Sequence, residues 1–219
     1  MFPSLYAILD LGVTESIASP GQPSQAQRSP LAIAKELAAA GVSLIQLRDK
    51  HASAANVFAA AREWSQSLSV LGARFIINDR PDIAAIVGAG GVHVGQDDLP
   101  VEAARAICGP GCWVGVSTHN LDQFRAALAT SADYIAIGPI FPTATKQNPD
   151  PVVGLDLLRR ARALTRKPLV AIGGITLDSA ADVYRAGADS LAVIRDLAGA
   201  PDPAARAREY LAIAARVKR

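Results

Sequence analysis

Leu44-Ile45-Gln46-Leu47-Arg48-Asp49-Lys50 alternates apolar and long polar side chains with the two-residue period of a β-strand. Gln46, Arg48 and Lys50 therefore share one face, and Ile45 and Leu47 the other. The stretch follows the helix-ending Ala38-Ala39-Ala40-Gly41 with no hairpin signal, so it reads as a parallel strand between helices. Such a strand is normally covered on both sides. A guanidinium and an ammonium placed there cost on the order of several kcal/mol each unless something compensates them. The partner is either a bound anion or an internal carboxylate; otherwise the side chains splay over a sheet edge into water.

The same grammar extends in both directions. Upstream, Leu5-Tyr6-Ala7-Ile8-Leu9-Asp10 is a short apolar run ending in an acid, which suits a first buried strand. Residues 12–30 are rich in Ser, Gln, Pro and Gly and predict a surface loop over 11–30, followed by a helix from Leu31 to Gly41. Downstream, apolar runs at 74–79, 91–95, 112–117, 134–138, 168–173 and 190–194 predict six further strands, with helical spacing between them and after the last. Eight short strands each followed by a helix predict an α/β chain built as a single (β/α)8 barrel, the TIM-barrel architecture, over residues 1–219. Helix-ending punctuation at Ala40-Gly41-Val42, Gly90-Gly91-Val92, Ser131-Ala132-Asp133 and Ala186-Gly187-Ala188-Asp189 precedes each even-numbered strand, a weak repeat of two-strand units.

Composition narrows the partners. Of 219 residues, 22 are Lys or Arg and 20 are Asp or Glu, with no dense basic block, so charge gives no argument for nucleic acid or an anionic membrane. Small-molecule substrates are expected, and a homo-oligomer is compatible with the sequence. The start, Met1-Phe2-Pro3-Ser4-Leu5-Tyr6, carries no basic leader, and no apolar run reaches membrane-spanning length, so a cytoplasmic protein is expected. Cys108 and Cys112 fall short of a four-ligand zinc set and read as reduced, partly buried thiols.

On a barrel the polar residues collect at the carboxyl ends of the strands, the face that carries barrel active sites. Gln46, Arg48 and Lys50 end strand two, and Asn78 and Asp79 end strand three. Asp97 and Asp98 follow strand four, Ser117 and His119 end strand five, and Thr143, Thr145 and Lys146 follow strand six. Asp79 and Asp98 beside cationic side chains suit Mg2+ carried on a substrate diphosphate; each acid is equally readable as a helix N-cap ahead of Pro81 or Pro100. Gly173-Gly174 after strand seven and Ile194-Arg195 after strand eight occupy the usual phosphate position of barrels. His93 reads as a satisfied interior residue. No serine-histidine-acid set is evident, and a Schiff-base role for Lys50 or Lys146 would need desolvation or a cationic neighbour.

Six segments together resemble the thiamine-phosphate synthase family. They are Gln46-Leu47-Arg48-Asp49-Lys50, Asn78-Asp79-Arg80, Val92 to Asp98, Gly115-Val116-Ser117, Gly138 to Lys146 and Ile172-Gly173-Gly174-Ile175. The resemblance implies Mg2+-dependent condensation of 4-amino-2-methyl-5-hydroxymethylpyrimidine diphosphate with a thiazole phosphate, or its carboxylated form, giving thiamine phosphate and diphosphate. It implies that Gln46, Arg48, Lys50, Asn78, Ser117 and Lys146 hold the pyrimidine diphosphate and that Asp79 and Asp98 hold the metal. Thr143, Thr145, Gly174, Ile194 and Arg195 would hold the thiazole phosphate. Arg48, Lys50, Ser117 and Lys146 would serve the chemical step. Arg195 stands where that family often has serine. A thiazole tautomerase on the same barrel, or a non-catalytic phosphate-ligand sensor, are the competing readings.

Overall fold

The strand alternation seen at Leu44 to Lys50 is realised as two environments. In the computed structural model, which describes residues 2–13, 28–143, 145 and 150–218, Ile45 and Leu47 join a large apolar layer outside the sheet. Leu44 joins a smaller cluster with Tyr6, Ile8, Ile76, Tyr134, Ala136, Val170 and Ala192. These residues have the same parity on their strands and fill the inside of a closed barrel.

The strands are β1 (Leu5–Asp10), β2 (Leu44–Arg48), β3 (Arg74–Asn78), β4 (Gly91–Val94), β5 (Trp113–Thr118), β6 (Tyr134–Ile137), β7 (Leu169–Ile172) and β8 (Ser190–Val193). They pair in parallel in chain order, and Leu5 to Ala7 of β1 pair with Leu191 to Val193 of β8 to close the ring. Around it run α1 (Pro30–Ala39), α2 (Ala54–Val70), α3 (Pro81–Val87), α4 (Val101–Cys108), α5 (Leu121–Leu128), α6 (Gly154–Leu164), α7 (Leu177–Arg185), α8 (Arg195–Ala198) and α9 (Pro203–Val217). The sequence reading contained no equivalent of α8, a single turn too short to show a periodicity.

Several helices start where the sequence places a capping residue. Ser29 and Ser53 accept from Ala32 N and Asn56 N at 3.2 and 3.3 Å, and Asn120 accepts from Gln123 N at 2.9 Å. Each such cap contributes about 1 kcal/mol and fixes how the chain leaves the carboxyl end of a strand. Asp79 and Asp98 do not act as caps. The cap positions of α3 and α4 are Arg80 and Pro100, so both acids are left to other partners.

The punctuation before the later even-numbered strands has a concrete basis. Asp133, just before β6, accepts from Val114 N at 2.7 Å and from Arg105; Asp189, just before β8, accepts from Leu169 N at 2.8 Å and from Arg162 at 2.6 Å. The same bracket ties β6 to β5 and β8 to β7. At the amino-terminal end of the barrel Phe2 stacks on Trp113 with centroids 5.3 Å apart, and the Arg74 guanidinium lies 3.9 Å from the Trp113 ring, filling that end. Open space in the barrel therefore faces the carboxyl ends.

The loop expected at 11–30 lies largely outside the described residues. Cys108 and Cys112 are free thiols, and burial, with the Cys108 thiol beside it, pushes Cys112 up to about 12. Among the described residues no helix is long and apolar enough to cross a membrane.

Candidate active site

A cavity of about 730 Å³ opens at the carboxyl ends of the strands. Gln46, Arg48, Lys50, Asn78, Asp79, Asp98 and Ser117 line one side of it, and Thr143, Thr145, Gly174, Ile194 and Arg195 line the other. Of the site residues expected from sequence, Lys146 alone is not among these, because it lies outside the described residues.

The first side is charged. Arg48, the last residue of β2, forms an ion pair with Asp10 at the end of β1, with side chains only 17% and 7% exposed. Burial lowers the Arg48 pKa, and the nearby carboxylates of Asp79, Asp49 and Asp98 oppose the shift. Lys50 lies two residues past β2, not on it, and pairs with Asp79. The internal-carboxylate alternative raised by the sequence is thus realised for both cations, at the rim of an open cavity.

Asp79 has φ 61°, a left-handed conformation that Asp tolerates better than most residues, and its N–H donates to His93 O at 2.8 Å. Its carboxyl is pushed up to about 6 by burial and by its hydrogen bond with Asp98, against the pull of Lys50. Burial pushes Asp98 up as well, but the hydrogen bond from Asp79, the Gly95 N–H at 2.8 Å and the Lys50 charge outweigh it, so Asp98 lies below the ordinary carboxylate range. Two carboxyl groups within hydrogen-bonding reach of each other, beside Lys50 and Arg48, form a place where a metal ion could take the position of a shared proton. Among the described residues no group of three or more His, Cys, Asp or Glu is arranged to hold a metal, so a cation held by Asp79 and Asp98 would need its other oxygens from ligand and water. Mg2+ suits that donor set, because it commonly keeps waters and binds through one or two carboxylates plus phosphate oxygens.

Below the charged rim the floor is polar on one side and apolar on the other. Gln46 Nε2 donates to the Tyr6 hydroxyl at 2.7 Å, Tyr6 and Tyr134 hydroxyls are 3.0 Å apart, and His93 bridges Tyr134 at 3.0 Å and Ser117 Oγ at 2.8 Å. His93 is thus the satisfied interior residue its place in the strand suggested. Ile8, Ala136, Val170 and Ala192 supply the apolar floor. Gly115 is required here, since a Cβ would run into the Tyr134 ring.

The second side is built from backbone and hydroxyls. Gly173 and Gly174 have φ 99° and 63°, and a Cβ on either would collide with the β6 loop, at Pro139 or at the Pro142 carbonyl. That loop begins with a cis Gly138-Pro139 bond and carries Thr143, whose Oγ1 accepts from Thr145 N at 3.3 Å. His119 faces it, with Nδ1 2.7 Å from Gly138 O and 3.5 Å from an Asp150 oxygen. Ile194 leads into α8, which is anchored to α9 by Asp196, bonded to Arg206 and to Tyr210 at 2.8 and 2.7 Å.

Sequence reasoning did not assign Asp10, Tyr6 or Tyr134 to the site. Their signal was parity: Tyr6, Ile8 and Asp10 alternate on β1 as Leu44, Gln46 and Arg48 do on β2, and the register pairs Ile8 with Gln46 and Asp10 with Arg48.

Comparison with known proteins gives a consistent picture. The family model described as thiamine monophosphate synthase matches residues 17–197. A thiamine-phosphate synthase of Koribacter versatilis is 50% identical over 211 residues, covering 96% of this chain and 95% of that protein. One from Methanospirillum hungatei is 43% identical over 198 residues, covering 90% and 93%. The solved structure of a thiamine phosphate pyrophosphorylase from Pyrococcus furiosus superposes with a TM-score of 0.83 at 31% identity, covering 98% of this chain and 96% of that one.

Proposed function

The chain belongs to the thiamine monophosphate synthase family and is a transferase that condenses a hydroxymethylpyrimidine diphosphate with a thiazole phosphate, and we propose that the cavity described above performs this step with Mg2+. The observation that carries the assignment is the convergence of Arg48, Lys50, Asp79 and Asp98 on one rim, opposite Thr143, Thr145 and Gly174 on the other. A tautomerase acting on the thiazole alone would need only the second rim. We place the enzyme in the cytoplasm and treat residues 1–219 as one domain.

In this reading the pyrimidine sits on the floor near Gln46, and its diphosphate lies against Arg48, Lys50, Asn78 and Ser117. Lys146 would reach the same group from the β6 loop. The thiazole phosphate is held by Thr143 and Thr145 and by backbone at Gly174, Ile194 and Arg195. Arg48 exchanges Asp10, and Lys50 exchanges Asp79, for phosphate oxygens, so the largely buried Arg48 charge and its Lys50 neighbour are compensated before and after binding. Once Lys50 has turned to the substrate, Asp79 and Asp98 are the residues that would hold Mg2+, which supplies neutralisation of the diphosphate charge.

The reaction breaks the bond between the pyrimidine methylene carbon and the diphosphate oxygen, the electron pair leaving with the diphosphate. The thiazole nitrogen supplies the pair for the new carbon–nitrogen bond. Arg48, Lys50 and Lys146 meet the negative charge that grows on the leaving group, the type of contact that strengthens toward the transition state. Ile8, Ala136, Val170 and Ala192 keep water from the electron-poor methylene carbon. Ser117 donates to a phosphate oxygen. No covalent bond to the protein is required.

The test is turnover by the purified chain. With both substrates and Mg2+, one diphosphate should be released per thiamine phosphate formed, with synthesis lost on chelation and restored by added Mg2+. Interconversion of thiazole tautomers without condensation would instead establish the tautomerase.

A further inference from the structure

Five side chains form one hydrogen-bonded line across the inside of the barrel, from Gln46 through Tyr6, Tyr134 and His93 to Ser117, with links of 2.7, 3.0, 3.0 and 2.8 Å. Gln46 and Ser117 line the cavity, whereas Tyr134 is fully buried beneath it. Each hydroxyl has one proton, and a neutral imidazole has one donor and one acceptor nitrogen. With His93 neutral and every hydroxyl proton inside the line spent on a neighbour, the line runs in one of two directions. In the first, Gln46 N–H donates to Tyr6, Tyr6 to Tyr134, Tyr134 to His93 Nδ1, and His93 Nε2–H to Ser117 Oγ. The Ser117 proton is then free to donate into the cavity, and the Gln46 carbonyl is left as an acceptor. In the second, every proton is reversed, the Gln46 amide is turned over, Ser117 spends its proton on His93, and Gln46 offers N–H to the cavity.

We propose that this line couples the two ends of the pyrimidine diphosphate site, so that an anion at Ser117 sets Gln46 to accept and thereby selects a pyrimidine bearing an amino group over its oxo counterpart. The inference rests on the placement of the pyrimidine diphosphate given above. A phosphate oxygen accepts only, so it requires the direction in which Ser117 donates. That direction obliges Gln46 to present its carbonyl, which a 4-amino group satisfies and a 4-oxo group opposes. Turning Gln46 over alone would face two donors, or two acceptors, at the Tyr6 link. Tyr6, Tyr134 and His93 are thus positioning residues, and Gly115 is the space that lets Tyr134 lie across the barrel.

The experiment compares kcat/KM for the 4-amino and 4-oxo pyrimidine diphosphates in the wild-type enzyme and in Tyr134→Phe, with the fold checked by thermal unfolding. Wild-type enzyme should favour the amino substrate by at least about a thousandfold, as sites built around a substrate hydrogen bond do. Tyr134→Phe removes the central link without altering the cavity wall. Its preference should fall at least about tenfold, chiefly through gained activity on the oxo substrate, since Gln46 can then turn over while Ser117 still donates. A purely structural lesion would lower both activities and keep their ratio. If Tyr134→Phe does not fold, Tyr6→Phe cuts the line one link earlier and has the same expected outcome. An unchanged ratio in a folded variant overturns the coupling alone. A wild-type enzyme that forms product but does not discriminate overturns the role of Gln46 with it.

Discussion

Lys50 and Asp79, just past the ends of the adjacent strands β2 and β3, form an ion pair at the mouth of the barrel, and the Asp79 backbone, in a left-handed conformation, donates its N–H to His93 O. The pair joins the two charges that the proposed reaction must later separate, one to the diphosphate and one to the metal.

The Asp79 titration has a defined sign. Burial and the hydrogen bond with Asp98 push its carboxyl up to about 6 in the folded chain, above the ordinary value of about 3.9 of an unfolded chain. Between these values the folded chain holds a proton that the unfolded chain has released, so this stabilisation is full below about 4 and is lost as pH rises through about 6. Carbon-13 NMR of labelled aspartates should show one carboxyl titrating near 6, absent in Asp79→Asn and displaced downward by Mg2+ with inorganic diphosphate. An Asp79 titration at the ordinary value, unmoved by the metal, would remove Asp79 as a ligand.

Two substitutions at Asp79 should part company in stability. Asn tolerates a left-handed backbone, whereas Ala there costs on the order of 1 kcal/mol. Both lose the ion pair with Lys50, so the difference reports the turn together with the hydrogen bond to Asp98 that only Asn can keep. Urea unfolding should find Asp79→Ala less stable than Asp79→Asn by about that amount, and equal midpoints would mean that the turn carries no such preference.

Asp10→Ala strips the partner from a largely buried Arg48. Removing one member of such a pair typically costs about 3 kcal/mol or more. Inorganic diphosphate with Mg2+ should raise the melting temperature of this variant by more than it raises that of the wild type, because the anion restores a partner. A smaller rise would argue that Arg48 does not meet the diphosphate.

Gly174→Ala addresses the other rim. A Cβ there meets the Pro142 carbonyl and the Phe141 side chain, and the backbone stands at φ 63°. The loop must shift away from the β6 segment that carries Thr143 and Thr145. Steady-state kinetics should show KM for the thiazole phosphate rising about tenfold or more, the equivalent of losing a charge-assisted hydrogen bond, with KM for the pyrimidine diphosphate little changed. The reverse pattern would place the thiazole phosphate elsewhere.

The barrel was legible because its strands are apolar runs of fixed length between helix-ending glycines, and because Gln46, Arg48 and Lys50 reveal which parity faces inward. The rims were legible for the same reason: strand ends are where polar residues interrupt those runs. What the sequence could not reveal was pairing across strands. Asp10 looked like the end of an apolar run, and only the register of β1 against β2 puts it opposite Arg48. The same holds for Tyr6 and Tyr134, which are 128 residues apart and meet inside the barrel. Asp79 and Asp98 each have a proline two residues on, a local signal for a helix cap, and local signals do not reveal that a neighbouring acid and Lys50 take the carboxylate instead.

The most direct measurement of the account is the rate of thiamine phosphate formation against Mg2+ concentration in the wild type and in the Asp79→Asn/Asp98→Asn double variant, at saturating substrates. The wild type should show a saturable dependence on Mg2+, and the double variant should fold yet be slower by about a thousandfold, the loss expected when a main electrostatic stabiliser of a leaving group is removed. Synthesis by the folded double variant at the wild-type rate and with the wild-type dependence on Mg2+ would contradict the assignment of the two acids as the metal site.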